Sequence, residues 1–377
     1  MRTFAAPTTT NTRFAIRPPA FVKAIPVIVA LLILGLAPMQ IVSSAAVQGT
    51  RDRLTEMAVA NLTLRSTATA ASIDGYIQSR RRDIISVSQF PDVISYAQNL
   101  GDQAQRNLAR AALAAAATVG PEYESIAVLD LGGTITAASI QTDEGTNVRF
   151  RDYFQNARTG QAYVSNPSYS VITNKPALFF SAPIKTTDGL LVGVARSRIN
   201  LTEVWRLVES DQGAIGAGAH SFMVDDFGIR LAVSETKGNR EKAESLIYKV
   251  IAPIEHETAL KLAADRRFGQ KSAEQLIIDP LPELKSVIDG MARTGPVPFA
   301  YAASGVEQRA VATRLESKPW VYVVAIPLVT YTSASGGATT GQTAGILLAV
   351  ALSALIAAWF VRSVFSSQEK SPERDAE

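Results

Sequence analysis

The chain contains no cysteine and two histidines among its 377 residues. The absence of cysteine excludes disulfide frameworks, thiol nucleophiles and cysteine-ligated zinc, although it leaves the redox compartment undecided. His256 opens a protease-like HExxH pattern, but Leu260 stands where the second histidine is required. Because the other histidine, His220, is distant in sequence, nothing favours a histidine-based zinc site. The sequence therefore predicts neither a metal site nor a cofactor.

Strong net charge and catalytic signatures are also lacking. The formal net charge is +3 at pH 7, and no stretch interleaves basic and aromatic residues as a nucleic-acid groove does, so no nucleic-acid partner is expected. Residues 213–218, GAIGAG, are followed by neither Lys-Ser nor Lys-Thr, which favours a connector over a phosphate loop. No signature places an activating base beside a serine or threonine. The chain is therefore predicted not to be an enzyme.

Two long runs have uncharged cores, which read AIPVIVALLILGLAPMQIV and TAGILLAVALSALIAAWFV. Each core is about 19 residues, or roughly 29 Å of helix, which matches the hydrocarbon thickness of a bilayer. We therefore predict transmembrane helices at residues 24–43 and 343–362. For the first run the alternative is a cleaved signal peptide, since Ser43 and Ala45 suit a small-residue cleavage site.

The flanks of these runs predict the orientation of the chain. Residues 1–23 contain four basic residues and no acidic residue, which is typical of a cytoplasmic tail. Two spans return residues 363–377 to the same side as a second short tail. We therefore expect a two-pass protein of the plasma or inner membrane of a bacterium, with the bulk of the chain outside the cytoplasm.

The segment between the runs opens with helical patterns. No proline occurs between Pro38 and Pro91, and apolar residues recur at helical spacing, so residues 47–90 are predicted to form one long helix. A single helix of that length exposes so much surface that we expect it to pair with its copy in a homodimer. A second, alanine-rich helix is predicted at residues 103–117.

Short strands with glycine turns follow. Residues 125–139, SIAVLDLGGTITAAS, read as a hairpin, after which come a short helix closed by Gly160 and three further strands. Residues 221–234, SFMVDDFGIRLAVS, repeat the hairpin, and PFAYAASGVEQRAVATRLES and WVYVVAIPL supply a third hairpin and a last strand. These patterns predict an α+β fold with two tandem PAS-like modules, at residues 91–210 and 211–330.

A hairpin, a helix and three strands, present twice behind one long helix and between two spans, resemble the double Cache sensor domain of bacterial membrane receptors. The resemblance lies within residues 48–330 and is carried by AVLDLGGTI, RDYFQNARTGQAYVSNP, FFSAPIKTTDGLLVGVARSRINL, MVDDFGIRL and KPWVYVVAIPL. It implies that residues 91–210 are a membrane-distal Cache module, that residues 211–330 are a membrane-proximal one, and that the chain senses a ligand outside the cytoplasm.

The same resemblance implies a binding site. In similar Cache sensors the helix after the first hairpin carries an arginine, followed two residues later by an aromatic pair, and Arg151, Tyr153 and Phe154 match this pattern. Amino-acid-sensing members have Trp-Tyr as the pair and an aspartate on the last strand, where this chain has Arg198. A guanidinium holds a carboxylate by two parallel hydrogen bonds but repels an ammonium. The resemblance therefore implies a small anionic ligand, such as a carboxylate.

Analogy with the family alone adds three candidate ligand-binding residues, Tyr169, Phe179 and Ser181. A structural alternative stays open, in which Arg151 and Arg198 pair with acidic residues of the chain and the aromatic pair belongs to the core. The acidic residues offered for this pairing are Asp152, Glu124 and Asp143.

Receptors with this outer domain usually continue into a HAMP linker and a signalling module, whereas here a short charged tail follows the second run. We therefore expect signal output through a separate partner chain. The alternative function is an outer-surface interaction or scaffold protein, or a truncated receptor, that has lost ligand sensing.

Overall fold

The structure is a computed structural model. It describes residues 20–211, 215–234, 241, 245–291, 295–330, 345, 348–349, 351–356 and 359, with side-chain surroundings from residue 48 onward. The chain divides into a unit of Met1–Leu54 and Thr332–Glu377 and a larger unit, Thr55–Tyr331.

The predicted membrane segments fall largely outside this description. The side chains of residues 24–43, much of residues 343–362 and most of the two tails, 1–23 and 363–377, lie outside the described residues. Within the described part of the chain, no helix combines the length and the apolar composition that crossing a membrane requires.

Three helices precede the first sheet. Helix α1 runs from Ala20 to Ser88. It includes the long helix predicted at residues 47–90, which ends two residues earlier than predicted. Helix α2 (Pro91–Gln98) begins with Pro91, whose ring fits the first turn of a helix but not its interior. Helix α3 (Gln103–Ala117) begins after Asp102, whose carboxylate accepts hydrogen bonds from two otherwise unpaired amides of the first turn.

The first module contains α2 and α3 and the elements that follow them as far as residue 209. These elements are β1 (Tyr123–Leu129), β2 (Ile135–Ala138), α4 (Asp152–Arg158), β3 (Tyr163–Val164), β4 (Ser168–Tyr169), β5 (Pro176–Lys185), β6 (Leu191–Ile199) and α5 (Thr202–Glu209). The strands form an antiparallel sheet in the order β2-β1-β6-β5-β3, and β4 also pairs with β5. The last strand in sequence, β6, therefore lies in the middle of the sheet.

The second module repeats this arrangement. Its elements are β7 (His220–Val224), β8 (Arg230–Val233), α6 (His256–Ala264), α7 (Pro282–Gly290), β9 (Pro296–Ala303), β10 (Val306–Arg314) and β11 (Val321–Pro327). The sheet order is β8-β7-β11-β10-β9, again antiparallel, with the last strand in the middle. The predicted α+β fold with a long N-terminal helix is confirmed.

Each sheet has two differently covered faces. One continuous hydrophobic core joins α1 to one face of both sheets, and its members include Leu62, Ile73, Ile77, Phe180, Ala195, Tyr322 and Val324. The opposite face of the first sheet packs against α4, and that of the second sheet packs against α7. Side chains two residues apart on a strand share a face, so each central strand contributes alternately to the two cores.

Candidate functional site

Helix α4 brings together four of the predicted site residues on the sheet face turned away from α1. Tyr153 and Phe154 are buried there. The Tyr153 ring stacks on Phe179, with ring centroids 4.7 Å apart, and the Ser181 hydroxyl donates a hydrogen bond of 2.8 Å to the Tyr153 carbonyl. Burial raises the pKa of the Tyr153 hydroxyl, so it is a neutral donor at physiological pH.

Arg151 stands at the start of α4 and reaches the second module. Its side chain is 1% exposed. The guanidinium donates to the backbone carbonyls of Tyr169, at 2.5 Å, and of Asp265. It also lies 3.4 Å from the Asp265 carboxylate. Its Nε has no hydrogen-bond partner within the described part of the chain. Arg151 therefore ties α4 to the loop that follows α6.

The predicted residue Tyr169 lies on the same link between the modules. Its ring is 5.3 Å from the ring of Tyr248, and its amide donates a hydrogen bond of 3.0 Å to the Arg266 carbonyl. Burial, reinforced by Asp152, raises the pKa of the neighbouring Asp265 carboxyl to about 6, against the lowering effect of Arg151. Tyr169 thus contacts the second module with its ring.

Arg198 is paired with carboxylates. Its Nε donates to Glu124 at 3.0 Å, and its two terminal nitrogens donate to the two oxygens of Asp143 at 3.0 and 3.4 Å. Arg198 is 3% exposed and Asp143 is 1% exposed. These partners are two of the three acidic residues that the sequence offers for a structural pairing.

Arg196, two residues earlier on β6, differs from Arg198 in its hydrogen bonding. It lies between Ala127 of β1 and Ser181 of β5, on the face that also carries Arg198, and it is 1% exposed. One terminal nitrogen approaches Asp143 at 3.6 Å. Its Nε and its other terminal nitrogen have no hydrogen-bond partner among the described residues. Burial lowers the pKa of Arg196, yet a guanidinium keeps its proton in proteins.

Sequence reasoning selected Arg198 and missed Arg196. The alternation of side chains along a strand, with a period of two, was the signal that could have found it, because any argument that turns Arg198 towards α4 turns Arg196 the same way. The missing partners of Arg196 had no such signal. They depend on which arginine Asp143 pairs with, and the local sequence does not determine that choice.

A family model described as a Cache domain matches residues 46–335. The chain belongs to the Cache family. The two antiparallel sheets and the long N-terminal helix α1 fit a domain of this family. Cache domains are ligand-binding sensor domains of membrane receptors. A search of curated proteins finds no significant match.

Solved structures of sensor and ligand-binding domains share the fold at low sequence identity. The sensor domain of the V. cholerae histidine kinase DctB is 12% identical, with a TM-score of 0.57 over 72% of this chain and 98% of that one. The ligand-binding domain of the Campylobacter jejuni chemoreceptor Tlp3 in complex with 4-methylisoleucine is 13% identical, with a TM-score of 0.51 over 74% and 94%. The same domain in complex with L-valine is 12% identical, with a TM-score of 0.51 over 75% and 97%.

Proposed function

We propose that this Cache protein is a membrane-anchored sensor whose first module binds a small carboxylate outside the cytoplasm. The ligand lies on the α4 face of the first sheet, where Arg196 is its principal partner. Arg151, Tyr153 and Phe179 contact it from α4 and β5, while Tyr169, Phe154 and Ser181 support these groups. Arg198 holds Asp143 beside the ligand rather than binding the ligand directly.

One observation carries this proposal, namely the buried Arg196 guanidinium with two N–H-bearing nitrogens that lack a partner in the described part of the chain. Burying a charge without a counterion and hydrogen bonds costs several kcal/mol. The nearest carboxylate, Asp143, already gives both of its oxygens to Arg198. Arg196 therefore shares its counterion, Asp143, with Arg198, and an anionic ligand supplies the hydrogen-bond acceptors that its Nε and its other terminal nitrogen lack.

The charges around Arg196 also limit the class of ligand. Three arginines, at positions 151, 196 and 198, face the site or border it, and the carboxylates of Asp143 and Asp265 are already bonded to two of them. An α-ammonium group would meet no free carboxylate among these residues and would be repelled by Arg196. Tlp3 binds L-valine and 4-methylisoleucine. We infer that this chain instead prefers a carboxylate without an α-ammonium group.

A matched pair of ligands tests this preference. L-Valine and isovalerate share their carbon skeleton except for the α-ammonium group. Thermal unfolding of the full-length chain is measured with each, and with a panel of other short carboxylates. A ligand at about 100 times its Kd adds roughly 2.7 kcal/mol to the free energy of unfolding, which raises the Tm of a unit of this size by about 5 °C.

We expect isovalerate or another short carboxylate to raise the Tm and the corresponding amino acid to have no effect. If the amino acid raises the Tm as much as its deaminated partner, the inferred ligand class is wrong. If no anion in the panel raises the Tm, the alternative gains support: an interaction or scaffold protein that kept the fold and lost sensing. The observation that favours this second candidate is that Arg198 and Arg151 each already pair with acidic residues of the chain itself.

We further propose that the protein forms a homodimer in which α1 packs against α1 of the second copy. We also propose that the signal leaves through a separate partner chain. Exposed apolar side chains of α1 support the first point, since Met57 and Leu64 are 68% and 74% exposed and a second copy of the helix would cover them. Single cysteines introduced along residues 54–77 of this cysteine-free chain should crosslink with helical periodicity. Absence of crosslinking at every position would argue against the dimer.

A further inference from the structure

A pocket of about 170 Å³ lies on the other face of the first sheet, between α1, the end of α3 and the sheet. Its apolar lining consists of Ile84, Val87, Phe90, Ala116, Val119 and Ile126. Val119 is 71% exposed, so the pocket opens to solvent beside the C-terminal end of α3. The arginine cluster lies across the sheet, and this pocket shares no side chain with it.

One polar side chain in the lining lacks a partner. Ser197 of β6 lines the pocket and is 1% exposed, and its hydroxyl has no hydrogen-bond partner within the described residues. The polar groups of Asp83 and Tyr123, which also line the pocket, are bonded to each other at 2.7 Å. A buried hydroxyl without a partner is costly, so Ser197 provides a hydrogen-bonding group that no described residue uses.

We propose that this pocket binds a small, uncharged and mainly apolar molecule that carries one hydroxyl group, with a phenol as the best-fitting class. A cavity of ~150 Å³ lined by aliphatic and aromatic side chains accepts a benzene ring, which matches the size and the lining of this pocket. A charged molecule is excluded because the lining offers it no unpaired counterion. The hydroxyl of the ligand bonds to Ser197.

This second site does not rest on the proposed anion site. Its walls nevertheless come from α1 and from β6, and the neighbours of Ser197 on β6, Arg196 and Arg198, face the opposite side of the sheet. A phenol in the pocket therefore contacts both the long helix and the strand that holds the arginine cluster.

Hydrogen exchange on the full-length chain tests the proposal, with phenol and toluene as the two probes. At millimolar concentration both should slow amide exchange in residues 83–90 and in β6. Ser197→Ala removes the hydrogen bond and leaves the apolar walls intact. It should weaken phenol binding about five-fold, which corresponds to one ordinary hydrogen bond, and leave toluene binding unchanged.

A filled pocket provides the control. Ala116→Leu places a larger side chain in the pocket and should abolish protection by both probes, whereas Ala115→Leu, at the exposed neighbouring position of α3, should leave it unchanged. Protection that persists in Ala116→Leu, or no protection of the wild-type chain by either probe, would overturn the proposal. If Ala116→Leu does not fold, the comparison of phenol and toluene in Ser197→Ala decides: equal loss of both, or loss of neither, refutes the assigned hydrogen bond.

Discussion

The two modules can be aligned residue by residue through their opening hairpins. In the first hairpin the amide of Gly133 donates to the carbonyl of Asp130, and in the second the amide of Gly228 donates to the carbonyl of Asp225. Both glycines have positive φ, of 86° and 75°. Asp130 therefore corresponds to Asp225, and residues 125–129 of β1 correspond to residues 220–224 of β7.

This alignment identifies the counterparts of the two arginines. Arg196 pairs with Ala127 of β1, which corresponds to Phe222 of β7, and Phe222 pairs with Val323. Arg198 pairs with Ser125 of β1, which corresponds to His220 of β7. His220 pairs with Ala325, so Ala325 is the counterpart of Arg198. The counterparts Val323 and Ala325 are fully buried in the apolar core under α7. The sheet topology thus accepts apolar residues at both positions, so it does not by itself require an arginine at either one.

The largest effect is expected when the charge of the first module is moved into the second. Val323→Arg places a guanidinium where the second module has an apolar core, and it should lower the free energy of unfolding by about 4 kcal/mol or more. Val323→Met, which adds volume without charge, should cost only ~1–2 kcal/mol. Denaturant unfolding of the full-length chain measures both. If arginine at position 323 were tolerated as well as methionine, a buried guanidinium would need no partner, and the argument from Arg196 would fail.

The paired arginine of the first module should behave as a structural residue. Arg198→Met leaves the buried Asp143 carboxylate and the Glu124 carboxylate without their main partner, so it should lower the free energy of unfolding by about 3–5 kcal/mol. Arg206→Met is the control, because Arg206 is 64% exposed in its ion pair with Glu203 and should cost less than ~1 kcal/mol. Equal effects of the two substitutions would show that the Arg198 pairing contributes no more than a surface ion pair.

The two hairpin glycines should differ in their sensitivity to a side chain. At Gly133 an added Cβ would lie 2.7 Å from the Cα of Arg149, a backbone atom, whereas at Gly228 it would meet a side-chain carbon of Ile251 at the same distance. Positive φ alone costs an alanine ~1–2 kcal/mol. Because backbone yields less than a side chain, Gly133→Ala should cost about 3 kcal/mol and Gly228→Ala about 2 kcal/mol. Denaturant unfolding should reproduce this order, and the reverse order would contradict the described packing of the first hairpin.

A smaller, pH-dependent effect is expected where the modules meet. Burial raises the pKa of the Asp265 carboxyl in the folded chain to about 6, above its ordinary 3.8. The folded state therefore holds this proton more tightly than the unfolded state, so the contribution of Asp265 to stability is present at low pH and is lost as the pH rises through about 6. Asp265→Asn should remove this loss. The free energy of unfolding of the variant, relative to that of the wild type, should therefore rise by ~2 kcal/mol between pH ~4 and ~7.

Unfolding free energies measured across this pH range for the two chains test the prediction. Their difference isolates Asp265 from the other titrating groups. A difference that does not change with pH, or that changes in favour of the wild type as the pH rises, would contradict the assigned pKa.

Much of the fold could be predicted from the sequence, because it depends on residues that are close together in the chain. The turn at Gly133, the end of α1 shortly before Pro91 and the alternating strand β6 follow from the backbone preferences of neighbouring residues. The grouping of Tyr153 with Phe179 required only the resemblance to Cache sensors. These elements formed where the sequence predicted them, whereas the short helix α2 (Pro91–Gln98) was not predicted.

The electrostatic part of the site could be predicted only in part. Glu124 and Asp143 were offered as partners of Arg198 in the structural alternative, but the remaining pairings depend on contacts between distant residues. Arg151 contacts Asp265, 114 residues away, across a connection that no local pattern encodes. The choice of Asp143 between two arginines on one strand depends on a difference of less than 1 Å in its distances to them, 3.0 Å to Arg198 and 3.6 Å to Arg196. Sequence reasoning therefore identified the cluster but assigned the roles of its arginines from the family pattern alone.

The most direct test of the account is to replace Arg196 by methionine in the full-length chain and to measure its unfolding with and without the carboxylate that stabilises the wild type. Because the Arg196 guanidinium lacks the partners that repay its burial, Arg196→Met should leave the ligand-free stability within about 1 kcal/mol of the wild type or raise it. The increase in Tm caused by the carboxylate should disappear. A variant that is destabilised by several kcal/mol, or one that still responds to the carboxylate, would contradict the claim that Arg196 is the anion-binding residue of the first module.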